Sequence, residues 1–456
     1  MTKNKFETLN LDDALLKNLK SLNYNEMTPI QEKALPYILK GDDLIAKAKT
    51  GSGKTITFGL GLLHNLNIKK FNIQSLVLAP TRELAVQIAN SLREIVRCRD
   101  NVKILTLTGG SPYHPQVHSL SHNAHIIVGT PGRILKHLQE ENFKTLDINT
   151  LVLDEADRML DMGFSEDINS IIDFLPKQRQ TLLFSATYPD TIDDLSSNIM
   201  SNPTNIEVES THNKNIINQE FYDIQEQNKT AFLPKLFKES YKSVIIFCNT
   251  KIKCDEVADA LEELDMEPLV LHSDLEQKYR DETLILFANK SYPILIATDV
   301  ASRGLDIDDV DLVINYDIPN DFEVYTHRIG RTARAGKNGL AISLIENIFK
   351  FEELKEYLDI EFNLINSDDI FKLDDTYLNY DYSSIYIGGG KRHKLRAGDI
   401  LGALTAGIGL EKDDIGKINI LPTCSYVAVK NAVLEKAFSG LSNNRVKNRF
   451  FKVYKR

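Results

Sequence analysis

Short, continuous apolar runs separated by helix-length stretches constrain this chain more than any other feature. The first series is Leu44-Ile45-Ala46, Leu76-Val77-Leu78, Ile104-Leu105-Thr106-Leu107, Ile126-Ile127-Val128, Leu151-Val152-Leu153 and Thr181-Leu182-Leu183-Phe184. A strand with one wet face alternates apolar and polar residues. A run without alternation is buried on both faces, as in a parallel sheet covered by helices. A second series has the same rhythm: Val244-Ile245-Ile246-Phe247, Leu269-Val270-Leu271, Ile294-Leu295-Ile296-Ala297, Leu312-Val313-Ile314 and Leu340-Ala341-Ile342. The pattern predicts an α/β protein with two parallel-sheet domains, over residues 1–207 and 216–362. The polar stretch 209–215 reads as a linker between them. The acidic, Tyr-rich stretch 363–382 reads as a second linker, part of which can dock on a neighbouring domain.

Only the first series carries a phosphate cradle. After Leu44-Ile45-Ala46 come Ala48-Lys49-Thr50-Gly51-Ser52-Gly53-Lys54-Thr55, which fit the phosphate-loop pattern except that Ala48 stands where the strict pattern has Gly. Successive backbone N–H groups and the following helix N-terminus attract β- and γ-phosphates. Lys54 adds a point charge, and the Thr55 hydroxyl suits a Mg²⁺ shell. A glycine-rich turn can be only a turn, but here strand, loop, Lys-Thr and a periodic helix follow in order. Downstream, Asp154-Glu155-Ala156-Asp157 closes the run Leu151-Val152-Leu153. Alone this is an acidic strand end; beside a phosphate loop, Asp154 suits Mg²⁺ and Glu155 suits a water-orienting base.

The formal net charge is −10, yet its distribution is uneven. From 383 to 456 there are 14 Lys+Arg against 5 Asp+Glu, a tail of +9 on a body of −19. A compact basic segment on an acidic body is the electrostatic footprint of nucleic-acid binding, against the plainer reading of a solvated basic face. The tail reads as strand, helix, strand, strand, helix, strand, the split βαβ pattern of many RNA-binding modules. Its third strand offers one aromatic, Tyr426, so RNA contact is expected from the basic residues Lys391, Arg392, Lys394, Arg396, Arg445, Lys447 and Arg449 rather than from a stacking platform. The cysteines Cys98, Cys248, Cys254 and Cys424 lack metal-ligand spacing and read as free thiols of a cytoplasmic chain. No run approaches membrane-spanning length.

A second α/β domain without its own phosphate loop makes sense if it completes the site of the first. The candidate contribution is His327-Arg328-Ile329-Gly330-Arg331-Thr332-Ala333-Arg334, where Arg331 and Arg334 share a face if the stretch is helical. Guanidinium groups at a γ-phosphate accelerate transfer by about 10³–10⁵ where measured.

With these residues in view the chain resembles a DEAD-box ATP-dependent RNA helicase from Phe6 to Gly336. The resemblance implies two RecA-like domains, ATP and Mg²⁺ as cofactors, and RNA as substrate. Thr28-Pro29-Ile30-Gln31 resembles the adenine-reading motif, with Gln31 on the base and Phe6 placed like the stacking aromatic. It implies Lys54, Asp154, Glu155, Arg331 and Arg334 as catalytic residues, and Asp306 on the ribose. Ser185-Ala186-Thr187 resembles the element coupling hydrolysis to strand separation. RNA-backbone motifs are matched by Pro80-Thr81-Arg82, Gly109-Gly110, Thr130-Pro131-Gly132-Arg133, Thr250, Gln277 with Arg280, and Thr298-Asp299. Such short hydroxyls, glycine amides and arginines position a strand without reading its sequence. Two departures stand out. Asn23 occupies a usual Gly position, which Asn's tolerance of left-handed backbone allows. Ala333 replaces a common Gly, with no expected effect on Arg331 or Arg334.

The tail segments Ile385-Tyr386-Ile387-Gly388-Gly389-Gly390-Lys391-Arg392, Gly398-Asp399-Ile400-Leu401-Gly402 and Asp414-Ile415-Gly416-Lys417-Ile418 resemble the C-terminal domain of the DbpA branch of that family. The resemblance implies an RRM-like RNA-binding domain over 383–456, and 23S ribosomal RNA and pre-50S particles as partners. It further implies a bacterial, cytoplasmic monomer that remodels RNA during large-subunit assembly. The rival expectation is an ATP-gated RNA clamp that separates no strands.

Overall fold

The computed structural model describes residues 5–48, 52–185, 187, 190–208, 217–224, 229–299, 310–333, 339–359 and 361–456. By its internal contacts the chain forms two compact units, with the boundary near residue 211.

The first unit is built on a seven-stranded parallel sheet in the order β3-β4-β2-β5-β6-β1-β7. Its strands are β1 (Leu44–Lys47), β2 (Ser75–Leu78), β3 (Ile104–Leu107), β4 (Ile126–Gly129), β5 (Thr150–Asp154), β6 (Gln180–Ser185) and β7 (Thr204–Glu207). Side chains alternate across a strand, and the apolar runs divide accordingly. Leu44, Ala46, Val77, Val128, Val152, Leu182 and Phe184 enter one core. Ile45, Leu76, Leu78, Ile127, Leu151, Leu153 and Leu183 enter the core on the opposite face. Burial on both faces is why these strands read as unbroken apolar runs.

The second unit repeats the order as β10-β11-β9-β12-β13-β8-β14. Counted from its own first strand this is the same permutation, so the two sheets share one topology. The strands are β8 (Ile217–Asp223), β9 (Val244–Phe247), β10 (Leu269–Leu271), β11 (Ile294–Ala297), β12 (Leu312–Asn315), β13 (Gly339–Ile345) and β14 (Leu364–Asn366). Three strands were not expected from the sequence: β7, β8 and β14. All lie in the outer part of a sheet, where a half-exposed strand has no continuous apolar run.

The second unit also holds an antiparallel sheet, β16-β17-β15-β18, of β15 (Tyr382–Ile387), β16 (Ile415–Ile420), β17 (Ser425–Lys430) and β18 (Val453–Lys455). The helices Ala397–Gly402 and Leu434–Asn443 cover one face, with Ile385, Ile387, Val427, Val429, Ile400, Leu404 and Leu441 between. The stretch 363–382 is no free linker. It begins with β14, and Ile370, Phe371 and Leu378 pack on the core of the parallel sheet. Thr376 N donates to Pro234 O, and Lys235 pairs with Asp375 at 2.8 Å.

The other face of the small sheet is covered as well. Tyr426 and Cys424 join Ile285 and Leu286 of the helix Gln277–Ala288 in one buried cluster, with Tyr386 packed against it. Ser384 Oγ, fully buried, meets Asn289 Nδ2 at 3.1 Å and Ser291 Oγ at 2.8 Å, while Arg456 pairs with Glu282 at 2.7 Å. Among the described residues no helix is long and apolar enough to cross a membrane.

Candidate active site

Three neighbouring strand ends assemble the nucleotide-site residues of the first unit. In the sheet β1 lies beside β6, and β6 beside β5. Ala48 N donates to Ser185 O at 2.9 Å, which brings the start of the phosphate loop against the end of β6. The loop leads through Gly53, φ +97°, into the helix Lys54–His64. A side chain at Gly53 would be strained by that φ and would also strike Gln31 Nε2 at 2.7 Å. Gln31 Nε2 itself donates to Gly53 O at 3.4 Å, and Gln31 Oε1 accepts from Thr28 N at 2.8 Å. The adenine-motif residues thus lie against the phosphate loop, and Thr55 sits in the first turn beside Lys54.

Lys54 is 6% exposed, and neither its Nζ nor Ser52 Oγ has a hydrogen-bond partner among the described residues. A buried ammonium without partners is costly, so this one is placed for an anion. Its positive charge acts on Asp154 and Asp157. Burial pushes the Asp154 carboxyl up to about 6, with Glu155 and Asp157 adding to the rise and Lys54 opposing it. Burial pushes Asp157 up too, but Lys54 and the hydrogen bonds from Thr187 outweigh it, and the group ends below its ordinary value. Asp157 Oδ2 accepts from Thr187 N at 3.0 Å and Thr187 Oγ1 at 2.9 Å, so the acidic string and the Ser185–Thr187 segment are joined. Asp154 accepts only from Glu155 N among the described residues. A buried carboxylate with spare oxygen capacity is a hard-oxygen donor of the kind that suits Mg²⁺, and the Thr55 hydroxyl is a second donor of that kind.

Phe6 is placed differently from an open stacking aromatic: it is 3% exposed and packs in the first unit's core. Lys49, Thr50, Gly51, Ala186, Asp306 and Arg334 lie outside the described residues.

The expected RNA-backbone residues of the first unit gather at the carboxyl edge of the same sheet. Thr81 caps the helix Arg82–Val96, its Oγ1 accepting from Leu84 N. Thr130 precedes the helix Pro131–Gln139 and accepts from Gly109 N at 3.4 Å. Two helix N-termini therefore face the edge with their partial positive charge, which suits phosphates. Gly110, φ +65°, lies so close to Arg82 that a Cβ would meet Nη1 at 2.2 Å. Gly132 packs near Asp167. Arg82 donates to Ser111 Oγ, and Arg133 to Ser111 O and Gln116 Oε1 at 3.1 Å each. Ser111 and Gln116, not singled out in the sequence, are the residues that tie these arginines together. Burial and Arg133 push His137 down to about 4, so the neutral ring donates through Nε2 to the same Gln116 oxygen.

In the second unit Thr250 caps the helix Lys251–Glu262, Oγ1 accepting from Lys253 N at 3.1 Å. Gln277 and Arg280 lie in the first turns of Gln277–Ala288, with Gln277 Nε2 donating to Asp281. Thr298 and Asp299 follow β11, and both Asp299 oxygens are taken by Arg328 at 2.6 and 2.7 Å. Arg328 also donates to Asp317 O, Asn249 Oδ1 and Asn315 Oδ1. One buried guanidinium thus fastens the ends of β9, β11 and β12 to the helix Phe322–Ile329. That helix ends before Arg331, so the condition under which Arg331 and Arg334 would share a helical face is not met. Gly330 to Thr332 form a turn, and Ala333 takes φ +61°. That is the left-handed conformation a glycine adopts freely and an alanine does not. Arg331 itself is buried at 6% exposure.

In the tail all seven expected cations are exposed, on the segments 391–396 and 445–449. Lys447 joins the segments by donating to Lys394 O and pairing with Asp399 at 2.9 Å. The third strand, β17, carries Tyr426 as its one aromatic, and Tyr386 of β15 lies 5.4 Å from Tyr426 and 5.8 Å from Tyr454, ring centre to ring centre. The β15–β17 register is what sets Tyr386 directly opposite Tyr426.

Residues 28–195 match the family model of DEAD/DEAH box helicases, 228–336 that of the helicase conserved C-terminal domain, and 384–455 that of the DbpA RNA binding domain. The chain belongs to the DEAD-box ATP-dependent RNA helicases, and within them to the DbpA type with its C-terminal RNA-binding domain. It is 48% identical over 452 residues to the ATP-dependent RNA helicase DbpA of Escherichia coli (strain K12), covering 98% of each chain. It is 37% identical to the helicase of the same name from Bacillus subtilis (strain 168), covering 99% of each. Among solved structures it is similar to S. cerevisiae Dbp5 bound to RNA and ADP BeF3. That match has a TM-score of 0.73 and 32% identity, over 81% of this chain and 98% of that one.

Proposed function

We propose that this helicase remodels large-subunit ribosomal RNA during 50S assembly, as a monomer in the bacterial cytoplasm. The observation that carries the ATP-driven part is the buried, unpartnered Lys54 ammonium beside Asp154 and Asp157. In this reading Gln31 recognises adenine, the Ala48–Thr55 loop and Lys54 hold the phosphates, and Glu155 orients the attacking water. Mg²⁺, held by Asp154 and Thr55, would neutralise charge on the β- and γ-phosphates. Arg331 and Arg334 act on the γ-phosphate from the second unit, so hydrolysis requires both units. Arg82, Gly109, Gly110, Thr130, Arg133, Thr250, Gln277 and Arg280 grip a strand by its backbone. A strand bent by that grip leaves its duplex, and Asp157 with Ser185–Thr187 links the grip to hydrolysis.

The tail would anchor the enzyme through the exposed cations of 391–396 and 445–449. Its sheet face supports this assignment, because Tyr386 and Tyr426 pack on the helix Gln277–Ala288 and are not free to stack on bases. A groove of about 620 Å³ beside the edge strand β16, with Tyr382, Lys412 and Lys430 in its lining, offers room for an unpaired nucleotide. The test is binding of the full chain to fragments of 23S ribosomal RNA and to unrelated RNAs of equal length, across salt. One fragment should bind at least tenfold tighter than the rest at every salt concentration. Uniform affinity with a steep salt slope would mean a generic electrostatic anchor and overturn the ribosomal assignment.

A further inference from the structure

Arg158 directly follows the acidic string Asp154-Glu155-Ala156-Asp157. It lies three residues beyond Glu155 on the short helix Ala156–Asp161 and is 3% exposed. Its Nη1 donates to Glu155 Oε2 at 2.9 Å, with the two side chains 4% and 5% exposed. Glu155 itself is held in left-handed backbone, φ +53°, where β5 gives way to the helix. A non-glycine residue stays in that region only when its surroundings fix it.

The contact is one-sided. Arg–carboxylate pairs favour a fork in which two N–H groups meet both oxygens. Here only Oε2 is engaged, and Oε1 has no hydrogen-bond partner among the described residues. The second arm of the fork, Arg158 Nη2, is buried without a partner among them. A fully forked pair would saturate the carboxylate; this one fixes it and leaves one oxygen to act.

We propose that Arg158 is a positioning residue for ATP hydrolysis, holding the Glu155 carboxylate by Oε2 so that Oε1 faces the attacking water. The proposal rests on Glu155 being the base. Because Arg158 acts through Glu155, its loss should change the hydrolytic step and leave ATP and RNA binding intact. A displacement near 1 Å costs on the order of a hundredfold in rate.

The test is single-turnover hydrolysis by the full chain with RNA, alongside ATP and RNA affinities and the thermal midpoint. Arg158→Met should lose about a hundredfold in hydrolysis, with both affinities within threefold of wild type. Arg158→Lys, which keeps the charge and one donor, should recover part of the loss. If the methionine variant does not fold, the lysine variant carries the test through a loss in hydrolysis alone. In an E155Q background, R158M should cost nothing further, because a residue acting through Glu155 has no effect once the carboxylate is gone. Full hydrolysis by R158M, a parallel loss of ATP affinity and thermal midpoint, or an undiminished R158M effect in the E155Q background would each overturn the proposal. Near wild-type turnover by E155Q would instead remove Glu155 as base, while an inactive E155Q beside a fully active R158M removes only Arg158.

Discussion

At the scale of single residues, Asp154 shows what burial does to a carboxyl. Its carboxyl stands at about 6 in the fold, against 3.8 ordinarily, because burial outweighs the Lys54 charge. A carboxyl with a raised folded pKa takes up a proton on folding. Its contribution therefore favours the fold below about pH 4 and is lost as pH rises toward 6. The difference in unfolding free energy between Asp154→Asn and wild type, without nucleotide or metal, should accordingly move in favour of the variant between pH 4 and pH 7. The shift sets a ceiling on the order of 3 kcal/mol. Urea melts at several pH values measure it, and a flat difference contradicts the burial argument.

The acidic string and the phosphate loop were legible because their chemistry is local: a strand, a turn and the right side chains in order. Arg328 was not, because its partners Asn249, Asp299, Asn315 and Asp317 come from three different strand ends. Ala333 is the opposite lesson. In the sequence it looks like a harmless replacement of glycine, yet it sits at φ +61°, where the missing glycine would relieve backbone strain.

At the scale of elements, strands buried on both faces announced themselves and half-exposed ones did not. β7, with only Ile206 of Thr204–Glu207 buried, has no apolar run to find. Helix starts were legible as motifs and gained a second meaning from the structure. Thr81 and Thr250, expected at RNA phosphates, also cap the helices whose N-termini face the same edges. The acidity that makes 363–382 look like a linker in the sequence is what lets it pair with Lys235 and Lys242 along the second unit.

The tail interface can be tested through Ser384. Its hydroxyl is buried between Asn289 and Ser291, and Ser384→Val leaves both without that partner. Unpaired buried groups cost about 1–3 kcal/mol each. The variant should lower the unfolding midpoint of the tail and raise hydrogen exchange in β15 and in 289–292, with β1 to β7 unchanged. Unchanged exchange across the interface contradicts the docking.

At the scale of the whole molecule, the chain carries one strand permutation twice. Only the first copy is followed by a phosphate loop. The duplication gives both sheets the same layout of strand ends. Division of labour between the copies is the centre of the proposal: catalysis from Lys54, Asp154 and Glu155 of the first, arginines from the second, and RNA contacts from both.

The most direct measurement is ATP-dependent release of a short RNA strand from a duplex joined to ribosomal RNA, with wild type and Glu155→Gln compared under one set of conditions. Wild type should release the strand only with ATP. The variant should hold ATP and RNA together, with turnover reduced by about a thousandfold or more, since an untransferred proton and a misoriented water each cost orders of magnitude. Release without ATP, or brisk ATP turnover by the variant, would contradict the account.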